Sequence, residues 1–544
     1  EMSSIFYLKY IPVISWYYGD ATHGITAAQA GISAGITTTD ALIPYADVLG
    51  LKGGTSFTGG TAEDRIRLAV MSLGKVVPKI DEIERDMLLA QKEIDQIDPS
   101  HYPKIGKLKE VRNGIAQAQL IIDDGAEMVQ EGKPLIKVLP QLMGEKEPKK
   151  YLILFQNDKE LRPTGGFLTF YAIFKIEEGV IKADSSSDIY DLDNSIPTHP
   201  EAPYIIEKYL PKVNQWYIRD TNLSPDFVTS MQDFRSQYEK SRVRQDIDGI
   251  IALDTHFLVS ILKILGGVEA GGQKFTADIE PECNCPQAVY LLEINTTKQV
   301  GYVRENRKSI LAELLSAIMQ KSLASSPKEY WGKLFQQSLV EAQNKHVLVY
   351  LYDEQAQKGI EGLGFAGQIQ KFEGDYMHLN DSNFGGGKSN MYITTDVKID
   401  YKVEDNYEIL KTVTITYKNP KPHSNCNPEN KEVICLNVTN RNFQRLYVPK
   451  GSVLQNVKGS EVKTLTKEDL GKTYFESFLT VKPLGKAEIT YTYKLPFKLK
   501  DSSKLPVMIQ KQPGLDAIPH VVTVNGKVVE KFDLISDKVT ELEI

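Results

Sequence analysis

The sequence predicts a multidomain α+β chain: an N-terminal antiparallel helical hairpin, a central α/β core and a C-terminal β-sandwich of the immunoglobulin type. Three observations predict it. Apolar residues recur at three- and four-residue steps from Ile66 to Ile97, the period of an amphipathic helix. Strand-like and helix-like runs alternate between about 148 and 389, the pattern of a layered α/β domain. From Asn390 the runs alternate apolar and polar, as half-buried strands do.

Residues 1–60 read as a helical segment rich in Ala, Gly and Thr, closed by the loop "GGTSFTGGT". Residues 61–147 read as the hairpin. Its first arm carries Ile66, Val70, Leu73, Val77, Ile80, Ile83, Met87, Ala90, Ile94 and Ile97 on one stripe. "DPSHYP" breaks the pattern. The second arm carries Leu108, Val111, Ile115, Ala118, Ile122, Val129 and Ile136, with Pro134 and Pro140 expected to end or kink it. Each arm is roughly 45–50 Å long at the helical rise. This describes a structural stalk, or a partner-binding coiled coil. In residues 148–389, "YLILF", "FLTFYAIFKI" and "DIDGIIAL" are strand-like, and the helix-like run from Thr255 stops at Gly266-Gly267, a C-cap signal. Residues 390–544 hold about seven short strands at the spacing of an immunoglobulin-type sandwich. Asn525-Gly526 marks a hairpin turn near the end.

The 544 residues carry a net charge of −7 and no basic stripe, which argues against nucleic acid as a partner. Four cysteines fall in two local pairs, a usage that suits an oxidising compartment. Cys426 and Cys435 are placed to close a hairpin loop by a disulfide. Cys283-Asn-Cys285 is tighter: a strained bond, a pairing elsewhere and free thiols all stay open. No apolar run reaches the ~18 residues of a spanning helix, so a membrane anchor is expected upstream of residue 1.

Two phosphate-loop lookalikes fail on context. "GLGFAG" at 362–367 follows a helix-like run, and "FGGGKS" at 384–389 has Ser382 where the first glycine belongs. No HExxH and no Ser-His-Asp order is present, and eight scattered histidines show no metal spacing. What remains is a set of arginines and acids near strand ends. Arg162 sits in "ELRPTGGF", Asp188, Asp191 and Asp193 in "DIYDLDN", Arg219-Asp220 in "WYIRDTNL", and Arg304 and Arg307 in "YVRENRKSIL". Guanidinium forks suit phosphate oxygens, and helix N-termini favour anions. Arginines with carboxylates suit a pyrophosphate with a divalent cation held through oxygen. The plain alternative makes the arginines structural and "DIYDLDN" a solvated loop. Gly165 and Gly166 either let the backbone approach an anion that Arg162 grips or form a turn needing φ > 0.

"YLILFQNDKELRPTGGF", "DIYDLDN", "RDTNLSPDF" and "DGIIALDTHFLVSILKILGGVE" closely resemble the bacterial domain-of-unknown-function family 4012, and the resemblance extends over nearly the whole chain. It implies a membrane-anchored protein outside the cell. The middle domain is more distantly similar to the LytR-CpsA-Psr phosphotransferases, which move glycopolymers from polyprenyl pyrophosphate carriers onto peptidoglycan. The likeness maps onto Asp158 and Arg162, onto Ile218-Arg219-Asp220, onto Leu253-Asp254 through Val268, and onto Arg304 and Arg307. It implies catalytic roles for Asp158, Arg162, Arg219 and Asp220. It further implies ligand contacts from Gly165, Gly166, Arg304 and Arg307, and Mg²⁺ held by Asp158 and Asp220, with Asp188, Asp191 and Asp193 as alternatives. One departure stands out. The second acid of that family's first loop, which helps hold its metal, is glycine here.

Two expectations follow. One is an extracytoplasmic, membrane-anchored cell-envelope protein that binds a lipid-linked glycan or cell-wall polymer, with or without Mg-dependent phosphotransfer. The other is a non-catalytic surface protein, a coat, filament or attachment subunit that self-associates through exposed sandwich strands.

Overall fold

The computed structural model describes residues 14–45, 62–210, 212–297, 309–324, 327–427, 435–499 and 504–544. The chain is mixed helix and strand, with helices at its N-terminus and a β-rich C-terminal region.

Three long helices come first: α1 (Ile14–Leu42), α2 (Ala62–Ile94) and α3 (Gly106–Leu142). α2 and α3 run antiparallel, since Gln91 bonds Asp123 near one end and Lys133 pairs with Asp81 near the other. α1 lies against α2 through Ser33 with Asp86 and His23 with Glu93. Ala27, Ile94 and Ile97 form a small core with Ile115, Ala118 and Ile122. Pro134 and Pro140 do not end α3, which runs through both. Its last turns are docked rather than free. Leu135, Val138 and Leu142 pack on the central domain, and the backbone of Leu135 lies against Gly359 of the helix Glu354–Gly362 so closely that a Cβ there would stand 2.6 Å away. Among the described residues no helix is long and apolar enough to cross a membrane.

The central sheet has five strands: β1 (Lys149–Asn157), β2 (Phe167–Glu177), β3 (Val180–Asp188), β4 (Gly249–Leu253) and β5 (Val347–Leu351), in the order β3-β2-β1-β4-β5. Only β1 and β4 run parallel. Their carboxyl ends therefore share an edge with the starts of the antiparallel β2 and β5. Such an edge is where ligands gather in open α/β sheets, and it collects the residues after Asn157, after Leu253 and before Val347. Helix α4 (Thr255–Leu265) leaves β4 at that edge, capped by Asp254 and closed by Gly266 in the left-handed conformation. Helices α5 (Gln287–Thr297) and α6 (Ser309–Ala324) pack against it.

The C-terminal region is two sheets of six strands. One runs Leu465–Asp469, Lys472–Val481, Asn440–Pro449, Asp375–Asn383, Lys504–Gln510, Lys538–Glu543. The other runs Val453–Lys458, Gly485–Lys498, Glu408–Asn419, Thr394–Val403, Ile518–Val524, Lys527–Leu534. Their inner faces share one core, including Leu446, Phe475, Ile415 and Tyr491. This differs from the roughly seven strands expected of an immunoglobulin-type sandwich. There are more strands, and two pairs are parallel: Asp375–Asn383 with Lys504–Gln510, and Thr394–Val403 with Ile518–Val524. The central strand Asp375–Asn383 also precedes the boundary expected at residue 390. Disulfides join Cys426 to Cys435 and Cys283 to Cys285.

Candidate functional site

A cleft of about 560 Å³ opens at the shared strand edge. Its two ends differ in chemistry. One is charged, lined by Glu160, Arg162, Arg219, Asp220, Glu293 and Lys388. The other is apolar, lined by Phe257, Leu258 and Ile261 of α4 and by Leu311, Leu314 and Ile318 of α6. Positions 257, 258 and 261, like 311, 314, 315 and 318, fall on one face of a helix, so each helix turns one stripe to the cavity.

Arg162 is 2% exposed, and both terminal nitrogens of its guanidinium are held by protein while its buried Nε has no hydrogen-bond partner. It donates to the carbonyls of Asn383 and Leu161, pairs with Glu160 at 3.0 Å, and lies between the rings of Phe167 and Phe384. Lys388 also pairs with Glu160. Burial opposes the charge on Glu160, yet Lys388 and Arg162 outweigh it and hold the carboxyl below its ordinary range. Arg219 pairs with Asp193 and sits 3.7 Å from Asp220, over the rings of Tyr217 and Tyr190. Asp193 also accepts from Ile218 N at 2.7 Å, and burial raises its pKa. Asp220 is 5% exposed, and burial pushes it up to about 6 although both Arg162 and Arg219 favour its charge.

The sequence-predicted residues divide as follows. Arg162, Arg219 and Asp220 meet at the charged end, with Asp193 behind Arg219. Asp158 does not join them. It lines a neighbouring cleft, where its Oδ1 accepts from Thr255 N (3.1 Å) and Oγ1 (2.6 Å), and its Oδ2 pairs with Lys159 at 2.6 Å. Asp158 and Asp220 thus line different clefts. Asp188 caps the short helix Ile189–Ser195, and Asp191 accepts from Ser187 near the surface. Gly165 and Gly166 line neither cleft. They meet protein instead: a Cβ on Gly166 would stand 2.3 Å from Asn157 C, and one on Gly514 would stand 2.1 Å from Gly165 O. Arg304 and Arg307 lie outside the described residues.

Sequence reading missed Lys388, which belongs to the rejected "FGGGKS" loop, and Glu293 of α5. It also missed a pair at the cleft wall. Asp254 Oδ1 caps α4 by accepting from His256 N and Phe257 N, while its Oδ2 meets His346 Nδ1 at 2.6 Å. Burial pushes the Asp254 carboxyl up and the His346 imidazole down. The register of β4 and β5 creates this pair across 92 residues, a distance that no spacing rule spans.

Residues 146–280 match the model of a family described as "Protein of unknown function (DUF4012)". This is the family that the strand and loop motifs resemble, and the match spans the first four core strands, α4 and the "DIYDLDN" and "RDTNL" segments. No curated protein matches the chain. Among solved structures, Bacillus subtilis TagV aligns at 11% identity and a TM-score of 0.21, covering 44% of this chain and 88% of that one. The Lin1025 protein of Listeria innocua aligns at 11% identity and a TM-score of 0.21, covering 42% and 85%. The Legionella pneumophila protein lpg2210 aligns at 11% and 0.18, and the chain spans 54% of its length. Alignments at such scores assign no chemistry.

Proposed function

We propose that the cleft binds a polyprenyl-pyrophosphate-linked glycan and that the protein serves the extracytoplasmic face of a bacterial envelope. One observation carries this reading: a single cavity joins a charged end holding Arg162, Arg219 and Lys388 to a wall of leucine, isoleucine and phenylalanine. A ligand with an acidic head and a long hydrocarbon tail matches both ends at once. Buried apolar surface supplies affinity and the cations supply orientation. At Arg219 and Lys388 the phosphate oxygens would replace carboxylates that now hold the cations, and the guanidinium fork of Arg219 suits two oxygens of one phosphate. Magnesium enters this proposal only as a condition to test.

A specific observation favours a second reading, a non-catalytic surface-structural protein. Arg162, Arg219 and Lys388 each already have a carboxylate partner. A core kept for its packing would show this arrangement too.

The test is calorimetric titration of the chain with a short prenyl pyrophosphate, inorganic pyrophosphate and the matching prenyl alcohol, with and without Mg²⁺. The amphiphile is expected to bind at least about tenfold more tightly than either part alone. Arg219→Ala and Leu258→Asn, the latter at a partly buried position on the apolar wall, are each expected to weaken it about tenfold or more, with circular dichroism unchanged. Absence of binding in the folded chain removes the lipid reading and leaves the structural one. Transfer of a glycan from the lipid to a hydroxyl acceptor would add catalysis.

A further inference from the structure

We propose that Asp254, His256 and His346 form a site for one divalent transition-metal ion of the zinc class, set in the wall between the two clefts. The fold itself builds the cluster. Leu253 pairs with Val347 across β4 and β5, so the next residues outward, Asp254 and His346, face each other, and Asp254 N donates to His346 O at 3.3 Å. The cap that Asp254 makes on α4 then fixes His256 in the first helical turn.

One donor atom from each of the three side chains lies within 4.8 Å of the other two. The two imidazoles meet edge to face, with centroids 4.2 Å apart. His256 Nδ1 is buried and has no hydrogen-bond partner, while its Nε2 is held by Asp516 at 2.6 Å. A carboxylate that fixes one ring nitrogen and leaves the other bare is the arrangement that supports metal-ligating histidines. The bare nitrogen is 4.0 Å from Asp158 Oδ2, which offers a further oxygen. Two imidazoles with carboxylate oxygen select zinc-class ions rather than magnesium or calcium.

Charge and geometry allow it. Asp158, Asp254 and Asp516 surround the cluster, against Lys159 on Asp158 and Lys511, whose Nζ is 3.5 Å from His346 Nε2. Tetrahedral ligands at about 2.05 Å stand roughly 3.3 Å apart, so the 2.6 Å pair of Asp254 and His346 would open slightly around an ion. His256 keeps 19% of its side chain exposed, which supplies an entry path. Asp254 lines the first cleft, and Asp158 and Asp516 line the second. The inference does not depend on the lipid reading.

The full chain, stripped with a chelator and dialysed, is titrated with Zn²⁺ by calorimetry and with Co²⁺ by visible absorption, with bound metal measured by elemental analysis. The expected result is one ion per chain, with affinity reduced about tenfold or more in His256→Asn and in His346→Gln. Binding is expected to be unchanged in His423→Asn, an exposed histidine far along the chain. The Co²⁺ bands are expected to vanish in His256→Asn. If His346→Gln fails to fold, His256→Asn carries the test. No stoichiometric binding by the folded intact chain, or equal binding in His256→Asn, overturns the proposal.

Discussion

Consider Gly166→Ala, which asks what the glycine pair after Arg162 is for. An added Cβ would stand 2.3 Å from Asn157 C, 2.4 Å from Asn157 O and 2.5 Å from Asp158 N. Ordinary contact begins near 3.4 Å, so the end of β1 must retreat by about 1 Å. That end is not free to move. Asn157 pairs with Phe167 in β2, Asn157 Nδ2 bonds Glu293, and Asn222 Nδ2 donates to Gly166 O at 2.8 Å. The obstacle is backbone, so the cost falls at the upper end of overpacking, about 3 kcal/mol. Gly266→Ala is the control: it meets nothing within 4 Å and loses only the left-handed conformation, about 1 kcal/mol. Several packed units weaken a two-state analysis, so the assay is local. Hydrogen exchange is read by mass spectrometry on peptides from β1 and β2. Faster exchange in both strands of Gly166→Ala, with a smaller effect in Gly266→Ala, is expected. Native exchange in β1 and β2 with lost prenyl pyrophosphate binding would refute the reasoning and restore the anion-approach role.

Two further outcomes are expected. Asp220 has its pKa raised from 3.8 to about 6 in the folded chain, so the folded state holds this proton more tightly than the unfolded one. Its contribution to stability is therefore most favourable below about pH 4, declines as pH rises to about 6 and is level above. Asp220→Asn should raise stability at pH 7.5 by at most about 3 kcal/mol and leave it unchanged near pH 4, read from urea midpoints; a loss at pH 7.5 would show that its charge is needed between Arg162 and Arg219. In the sandwich, Lys411 and Asp375 form a fully buried ion pair to which Tyr401 also donates. Lys411→Met should cost about 3–5 kcal/mol, and adding Asp375→Asn should recover most of it because the amide oxygen still accepts from Tyr401; no recovery in the urea midpoint would count against the pairing.

The strands that sequence reading finds are those with one wet face. Glu408–Asn419 buries every second residue almost without exception, and its alternation is plain in the letters. The Asp254 cap and Gly266 stop bracket α4 for equally local reasons. Asp375–Asn383 is invisible by the same logic. All nine of its residues are buried, yet it reads "DYMHLNDSN", because several of its polar side chains find distant partners, although Ser382 Oγ has none. Asp381 accepts from Tyr417 and Gln444, and Asn380 donates to Pro163 O. Arginines at a strand edge are legible as a charged cluster, but their partners are not. Lys388 reaches Glu160 across 228 residues, and the β4–β5 register alone brings His346 to Asp254.

The loop after β1 is locked by residues made much later. Arg162 donates to Asn383, its carbonyl receives Gln512 Nε2 from 350 residues downstream, and Gly514 closes on Gly165. During synthesis at about 5–20 residues per second, the strands around Arg162 emerge roughly 20–70 s before that last partner does. Until Asn383 emerges the Arg162 guanidinium has only its near neighbours Leu161 O and Glu160, and until Gln512 emerges the Arg162 carbonyl lacks its donor. A nascent chain stalled before residue 512 therefore lacks the last donor to the loop after β1. Closure of that loop waits, in this fold, on residues synthesised some 350 positions later.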